Sequence, residues 1–152
     1  MSDYSNSPKF EKFDASDYKV GIVVAKFNSQ FTSPMLEEAQ KLLGEYGVKG
    51  QNVKIIEVAG CMEAPLALQA LAEKRMDCLV AIGVIIKGET AHFDYVAKTI
   101  SDGILKVSLD KKIPIGFAVL TAFNEDQVKA RIHHGRDAAV AALHSAKELK
   151  AL

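Results

Sequence analysis

Between Gly83 and Val96 the chain reads Gly-Val-Ile-Ile-Lys-Gly-Glu-Thr-Ala-His-Phe-Asp-Tyr-Val, which sets a cation, a hydroxyl and an imidazole within six residues. The stretch opens inside an apolar run, Cys78 to Ile86, that reads as a buried strand. The run breaks at Lys87-Gly88-Glu89-Thr90, and a helical pattern starts near His92. A glycine-containing turn from strand to helix leaves backbone N–H groups at a helix N-terminus, where an anion such as phosphate can bind. A histidine at that position feels the helix dipole, which disfavours the imidazolium, so the ring should tend towards neutral near pH 7. A neutral imidazole can accept a proton and return it, as general acid–base catalysis requires. A lone histidine is more often structural. Here the turn around it points to phosphate binding beside proton transfer.

A second basic group, Arg131 with His133-His134-Gly135-Arg136, lies late in the chain. As a metal site it is weak, because adjacent histidines rarely point at one ion and no carboxylate or thiolate spacing supports them. As an anion site it is better, since arginine forks match phosphate oxygens. Phe27, between Lys26 and Asn28, is either the last core residue of a strand or an exposed aromatic face. Glu63 is either a solvated first-turn residue favoured by the helix dipole or a hydrogen-bond acceptor with up to four lone-pair sites.

The elements that must carry these residues alternate regularly. Lys19–Phe27 is β-rich and apolar, and Ser33-Pro34 reads as an N-cap with proline at the first helical position. Met35, Leu36, Ala39, Leu42 and Leu43 give the apolar stripe of a helix closing near Gly47. Val53–Val58 reads as a second strand, 64–74 as a helix, Cys78–Ile86 as a third strand and 92–109 as a helix with Phe93, Val96, Ala97, Ile100, Ile104 and Val107 on one face. Pro114–Thr121 reads as the fourth strand, and Asn124 with Gln127 resembles a capping box opening a short helix that ends near Arg131. A last helix spans 135–150, with Ala138, Ala141, Ala142 and Leu149 available for burial. Near-continuous apolar strands alternating with helices predict an α/β fold: a parallel sheet of four strands covered on both faces, joined by right-handed crossovers. In such a sheet ligands bind at the carboxyl ends of the strands. Phe27, Gly60–Glu63, Lys87–His92 and Thr121 follow the four strands in turn, so all fall on one edge.

Composition narrows the function further. The chain has 152 residues, 49% apolar and 25% charged, with zero net charge. One domain is expected, over 18–152, large enough for a real core. Nothing in that neutral balance points to nucleic acid or an acidic membrane surface as a partner. No run approaches the ~18 apolar residues of a membrane span, and the first residues lack a signal-peptide pattern, so export is not expected. Cys61 and Cys78, both in apolar surroundings, suit a reducing cytoplasm. Residues 1–17 are polar, with Phe10 and Phe13 as their apolar anchors. They read either as a disordered tail or as an arm whose Lys9–Phe13 stretch pairs with a sheet edge, on this subunit or a neighbour.

Four ordered blocks resemble the lumazine synthase family, whose members carry G-x-V-I-[RK]-G-x-T-x-H-[FY]-[DE]-[YF] where this chain has Gly83 to Tyr95. Gly83, Ile86, Lys87, Gly88, Thr90, His92, Phe93, Asp94 and Tyr95 match, with isoleucine at position 85. Ala25-Lys26-Phe27-Asn28, Gly60-Cys61-Met62-Glu63-Ala64-Pro65 and the Pro114–Thr121 strand are the other blocks. Met62 departs from a common phenylalanine, Ala59 from a common proline, and Ala91 stands where threonine or proline is frequent. The resemblance implies a flavodoxin-like three-layer sandwich that condenses 5-amino-6-(D-ribitylamino)uracil with 3,4-dihydroxy-2-butanone 4-phosphate, in the penultimate step of riboflavin synthesis. It implies no cofactor and no metal. By resemblance His92 handles proton transfers. Phe27 stacks on the pyrimidine and Glu63 accepts from ribityl hydroxyls, with Cys61, Met62, Ile85, Ile86 and Lys87 as further substrate contacts. Thr90, the turn around Glu89 and Arg131 hold phosphate, with Arg136 or His134 as a second cation. Glu89 is compatible with that turn only if its side chain faces solvent. Phe117, placed near the end of the fourth strand, would close the pocket of a neighbouring subunit. The resemblance further implies homopentamers, sometimes sixty-subunit shells. Two rival readings are a low-turnover lumazine- or flavin-binding shell protein and an unrelated flavodoxin-like phosphate-binding domain.

Overall fold

The computed structural model describes residues 8–152. Its four strands are β1 (Val20–Ala25), β2 (Val53–Val58), β3 (Cys78–Ile86) and β4 (Ile115–Ala122), all parallel, in the order β2-β1-β3-β4. Five α-helices, α1 (Ser29–Glu45), α2 (Ala64–Ala72), α3 (His92–Lys111), α4 (Glu125–Lys129) and α5 (His134–Lys150), and two short 3-10 turns, Gly50–Asn52 and Cys61–Glu63, complete the described fold. The central strands β1 and β3 are buried on both sides over most of their length, as their unbroken apolar sequences require. Edge strand β2 instead exposes Lys54 and Glu57.

Two apolar clusters lie on opposite faces of the sheet. Met35, Ala39, Leu42 and Leu43 of α1 join Ala139, Ala142 and Leu143 of α5 against Ile22, Val80 and Ile82 on one face. Leu68 and Leu71 of α2 join Ile100, Ile104 and Val107 of α3 against Val23, Leu79 and Ala81 on the other. Chain direction across the sheet reverses between β1 and β3, so α1 covers one face and α2 and α3 the other. The opening above that reversal is where such folds place their ligands.

Two expectations need correcting. α1 begins at Ser29 rather than at Ser33-Pro34, and Pro34 lies inside it. Asn28 takes a left-handed backbone (φ 62°), and its carbonyl accepts from the N–H groups of Phe31 and Thr32 at 2.9 and 3.0 Å. The Thr32 hydroxyl donates to Ala25 O at 2.8 Å, tying the first turn to the strand it leaves. α5 buries Ala138, Ala139, Ala142, Leu143 and Ala146, while Ala141 is exposed and Leu149 is half-exposed. Its inner face is set by close backbone packing: a Cβ on Gly116 of β4 would overlap the Ala138 carbonyl, so only glycine fits there. Among the described residues Lys9–Phe13 forms no strand. Phe10 stacks on His144 with centroids 4.5 Å apart, and Phe13 meets Tyr46 and His144 edge to face. Residues 1–7 of the expected arm lie outside the described residues.

Candidate active site

Beyond Ala25 the parallel pairing continues for two residues. Lys26 N–H donates to Val58 O at 2.8 Å and Phe27 N–H to Ala59 O at 3.0 Å. Phe27 leaves the sheet 72% exposed. The ring lies over Gly60, where a Cβ would stand 3.3 Å from the ring and 3.4 Å from the Glu63 carboxylate. Glu63 Oε2 accepts the Gly60 N–H at 2.9 Å, which fixes the carboxylate beside the aromatic face. A carboxylate has lone pairs left after one such bond. Phe27, Gly60 and Glu63 thus form one unit, an open π-face with an acceptor at its edge. Asn28 ties this unit to the neighbouring strand, its amide donating to Val84 O at 3.0 Å.

The end of β3 supplies the second half. Cys61 is buried, its sulfur filling the space left by the missing side chain of Gly83, and burial pushes its thiol up to about 11. A protonated thiol in that notch packs rather than reacts. Ile85 and Ile86 are half-buried and pair with Thr121 and Ala122. Lys87 N–H donates to Ala122 O at 2.8 Å, and its ammonium stands 5.3 Å from the Phe123 ring centre. Phe93, in the first turn of α3, lies 6.4 Å from the same ring. Within the turn, Thr90 Oγ1 accepts the His92 N–H at 3.3 Å. Glu89, Thr90 and His92 are all exposed.

Phe27, Cys61, Met62, Glu63, Ile85, Ile86, Lys87, Glu89, Thr90 and His92 therefore gather at the carboxyl ends of β1, β2 and β3 and in the segments that follow them. Phe117, Arg131 and Arg136 do not join them. Phe117 is the third residue of β4, not near its end, and pairs with Ala81. Thr121, four residues on, is about 13 Å further along the strand. Arg131 donates from Nη1 to Gln127 O at 2.8 Å, and Arg136 is held by Glu45 at 2.6 Å. That guanidinium draws the Glu45 carboxyl below its ordinary range. Burial, then the neighbouring His133, lowers His134, so its ring is neutral at pH 7 and supplies no standing charge. Among the described residues no hydrogen bond or ion pair joins Arg131 or Arg136 to the edge residues.

Four contributors escaped the sequence reading. Gly60 and Asn28 stood inside the recognised blocks and act through backbone shape and long-range bonding. Phe123, an aromatic directly after a strand, was visible as such a signal. The fourth is Asp137, four residues after His133, which with His133 and His134 brings three metal-binding atoms within 4.8 Å of one another.

A family model described as 6,7-dimethyl-8-ribityllumazine synthase matches residues 17–150. A 6,7-dimethyl-8-ribityllumazine synthase of Polaromonas sp. (strain JS666 / ATCC BAA-500) is 41% identical over 144 residues, covering 93% of this chain and 94% of its own. One of Paracidovorax citrulli (strain AAC00-1) is 42% identical over 144 residues, with the same coverage. One of Azoarcus sp. (strain BH72) is 37% identical over 155 residues, covering 100% of this chain and 99% of its own. With the parallel β2-β1-β3-β4 sheet of the flavodoxin-like kind and its loops gathered at one edge, these matches show that the chain belongs to the 6,7-dimethyl-8-ribityllumazine synthase family.

Proposed function

We propose that the chain is a 6,7-dimethyl-8-ribityllumazine synthase, a transferase of riboflavin synthesis that joins 5-amino-6-(D-ribitylamino)uracil to 3,4-dihydroxy-2-butanone 4-phosphate. The observation that carries this is the Phe27–Gly60–Glu63 unit standing at the β1–β3 opening with the Lys87–His92 turn on the next strand. A flat heteroaromatic ring stacks on Phe27, and the ribityl hydroxyls donate to Glu63. The Gly88–Thr90 backbone, Thr90 and Lys87 face the phosphate at the start of α3. The nucleophile is the substrate's own 5-amino group. It attacks the ketone, and loss of water gives a Schiff base. Phosphate leaves by elimination, and the ribitylamino nitrogen closes the second ring with loss of another water. His92 accepts and returns the protons of these steps. Holding two small reactants in register supplies the greater part of the rate, since effective molarity can contribute about 7–11 kcal/mol.

The assembly is a ring of identical subunits, pentameric or built into sixty-subunit shells, working in the cytoplasm. Open aromatic surface supports this: Phe27, Tyr95 and Phe123 are 72%, 74% and 64% exposed, and no part of the described chain covers them. Phe117 and Arg131 lie off the chain's own edge cluster. They serve the pocket of the adjacent subunit, Arg131 as its phosphate cation, and a head-to-tail contact of this kind closes into a ring. The test is complementation. His92→Ala and Arg131→Ala proteins, each poorly active, are dissociated, mixed and reassembled. Mixed rings contain pockets with both intact residues, so activity should rise above either parent. Demonstrated subunit exchange with no gain would defeat the shared site. A wild-type protein that binds the ribityl compound without the absorbance change of product formation would defeat the synthase reading itself.

A further inference from the structure

We propose that His133, His134 and Asp137 bind one divalent transition-metal ion of the zinc class per chain, at the start of α5. The ligand atoms of the three side chains lie within 4.8 Å of one another. His133 and Asp137, four residues apart, share one face of the first turn, with His133 Nε2 3.8 Å from the carboxylate. The chain turns tightly just before them, the His134 N–H donating to Arg131 O at 3.0 Å. The two imidazoles consequently meet edge to face, with centroids 5.0 Å apart and planes at 75°. Neighbours in sequence thus present ring nitrogens to one small volume, with the carboxylate oxygen beside them.

Ligands about 2.0–2.2 Å from a zinc-sized ion stand about 3–3.5 Å apart. Closing the present spacing therefore takes side-chain movements of about 1–2 Å. Asp137, 52% exposed at the rim, has that freedom, and it faces a His133 Nε2 that is itself buried. The backbone beneath them does not move easily, because Gly135 packs on α1 so closely that a Cβ would overlap the Met35 carbonyl. Two imidazoles and one carboxylate suit Zn²⁺, Co²⁺, Ni²⁺ or Cu²⁺ better than Mg²⁺ or Ca²⁺, which prefer all-oxygen shells. Arg136 is paired with Glu45 at 2.6 Å, which offsets its charge beside the cluster, and Asp137 brings a carboxylate to it. Three protein ligands leave positions open for water or an anionic group.

The test is titration of chelator-treated full-length protein with Co²⁺, followed by visible absorption, and with Zn²⁺ by calorimetry at pH 7.5. One ion per chain is expected, with Zn²⁺ displacing Co²⁺. His133→Gln and Asp137→Asn, each checked by circular dichroism in the metal-free form, should bind at least about tenfold more weakly, the loss seen even when an outer-shell partner is removed. His92→Ala should bind as the parent does. Absence of saturable uptake, uptake unchanged in both cluster variants, or uptake lost with His92→Ala would each overturn the site.

Discussion

Gly83→Ala probes how β3 holds the loop that carries Glu63. The Cys61 sulfur occupies the space where the Gly83 side chain would be, and a Cβ there would overlap it, with Ala25 Cβ and Cys61 Cβ already at 3.7 Å. Non-bonded heavy atoms of this size rest about 3.5–4.0 Å apart, so the sulfur must retreat by more than about 1 Å. The movement therefore passes into the Cys61–Glu63 turn, and with it the Gly60–Glu63 hydrogen bond and the surface beneath Phe27. Overpacking of this kind costs about 1–3 kcal/mol of stability. A misplacement near 1 Å can cost up to about a hundredfold in rate, so kcat/KM should fall about ten- to a hundredfold, chiefly through KM for the pyrimidine. Cys61→Ala alone should cost about 1 kcal/mol. Combined with Gly83→Ala it should restore room, giving a favourable coupling of about 1–2 kcal/mol. Urea midpoints and steady-state absorbance kinetics on the four proteins measure both effects. Additivity within about 0.5 kcal/mol would refute the packing argument.

Further expectations concern thiols, caps and pockets. Burial pushes Cys61 up to about 11 and Cys78 to about 12 from 9.0, so at pH 8 the folded protein should react with iodoacetamide at least about a hundredfold more slowly than the urea-unfolded chain; equal rates would contradict the burial. Because both pKa values are raised on folding, their contribution to stability is complete below pH 9.0 and declines as pH rises towards about 12, which a denaturation series over that window can follow. Asn124 Oδ1 accepts Gln127 N–H at 3.0 Å, so Asn124→Ala should cost about 1 kcal/mol in urea unfolding; no change would remove the cap from the account. Arg131→Ala should raise KM for the butanone phosphate about tenfold or more with little effect on the pyrimidine, and Glu63→Ala the reverse. Equal effects of either variant on both substrates would overturn the division of the pocket.

Local sequence determined the elements and the edge on which they present their loops. β2 and β3 occupy the stretches read as strands, Val53–Val58 and Cys78–Ile86; β3 does so because burial on both faces needs an unbroken apolar strand, while edge strand β2 tolerates Lys54 and Glu57. The Asn124 cap was legible because its partner is three residues away, although Gln127 reaches back to Phe123 N–H at 2.7 Å, one residue before the cap itself. The residues after β1, β2 and β3 had to share one edge once the strands were parallel.

Tertiary structure decided what depends on distant partners. α1 starts at Ser29 because Asn28 bonds Val84, 56 residues on, and Thr32 bonds the end of β1. The buried face of α5 follows from close backbone packing at Gly116 and Gly135, which helical periodicity alone does not contain. Arg136 is engaged by Glu45 across two helices, and Phe117 stands low on β4 because strand register placed it opposite Ala81. His133, His134 and Asp137 converge through a tight turn whose geometry is set where α5 meets α1. Propensity and period act over a few residues and can be read directly. Register, close approach and convergence are products of packing between segments far apart in the chain, and only the folded molecule expresses them.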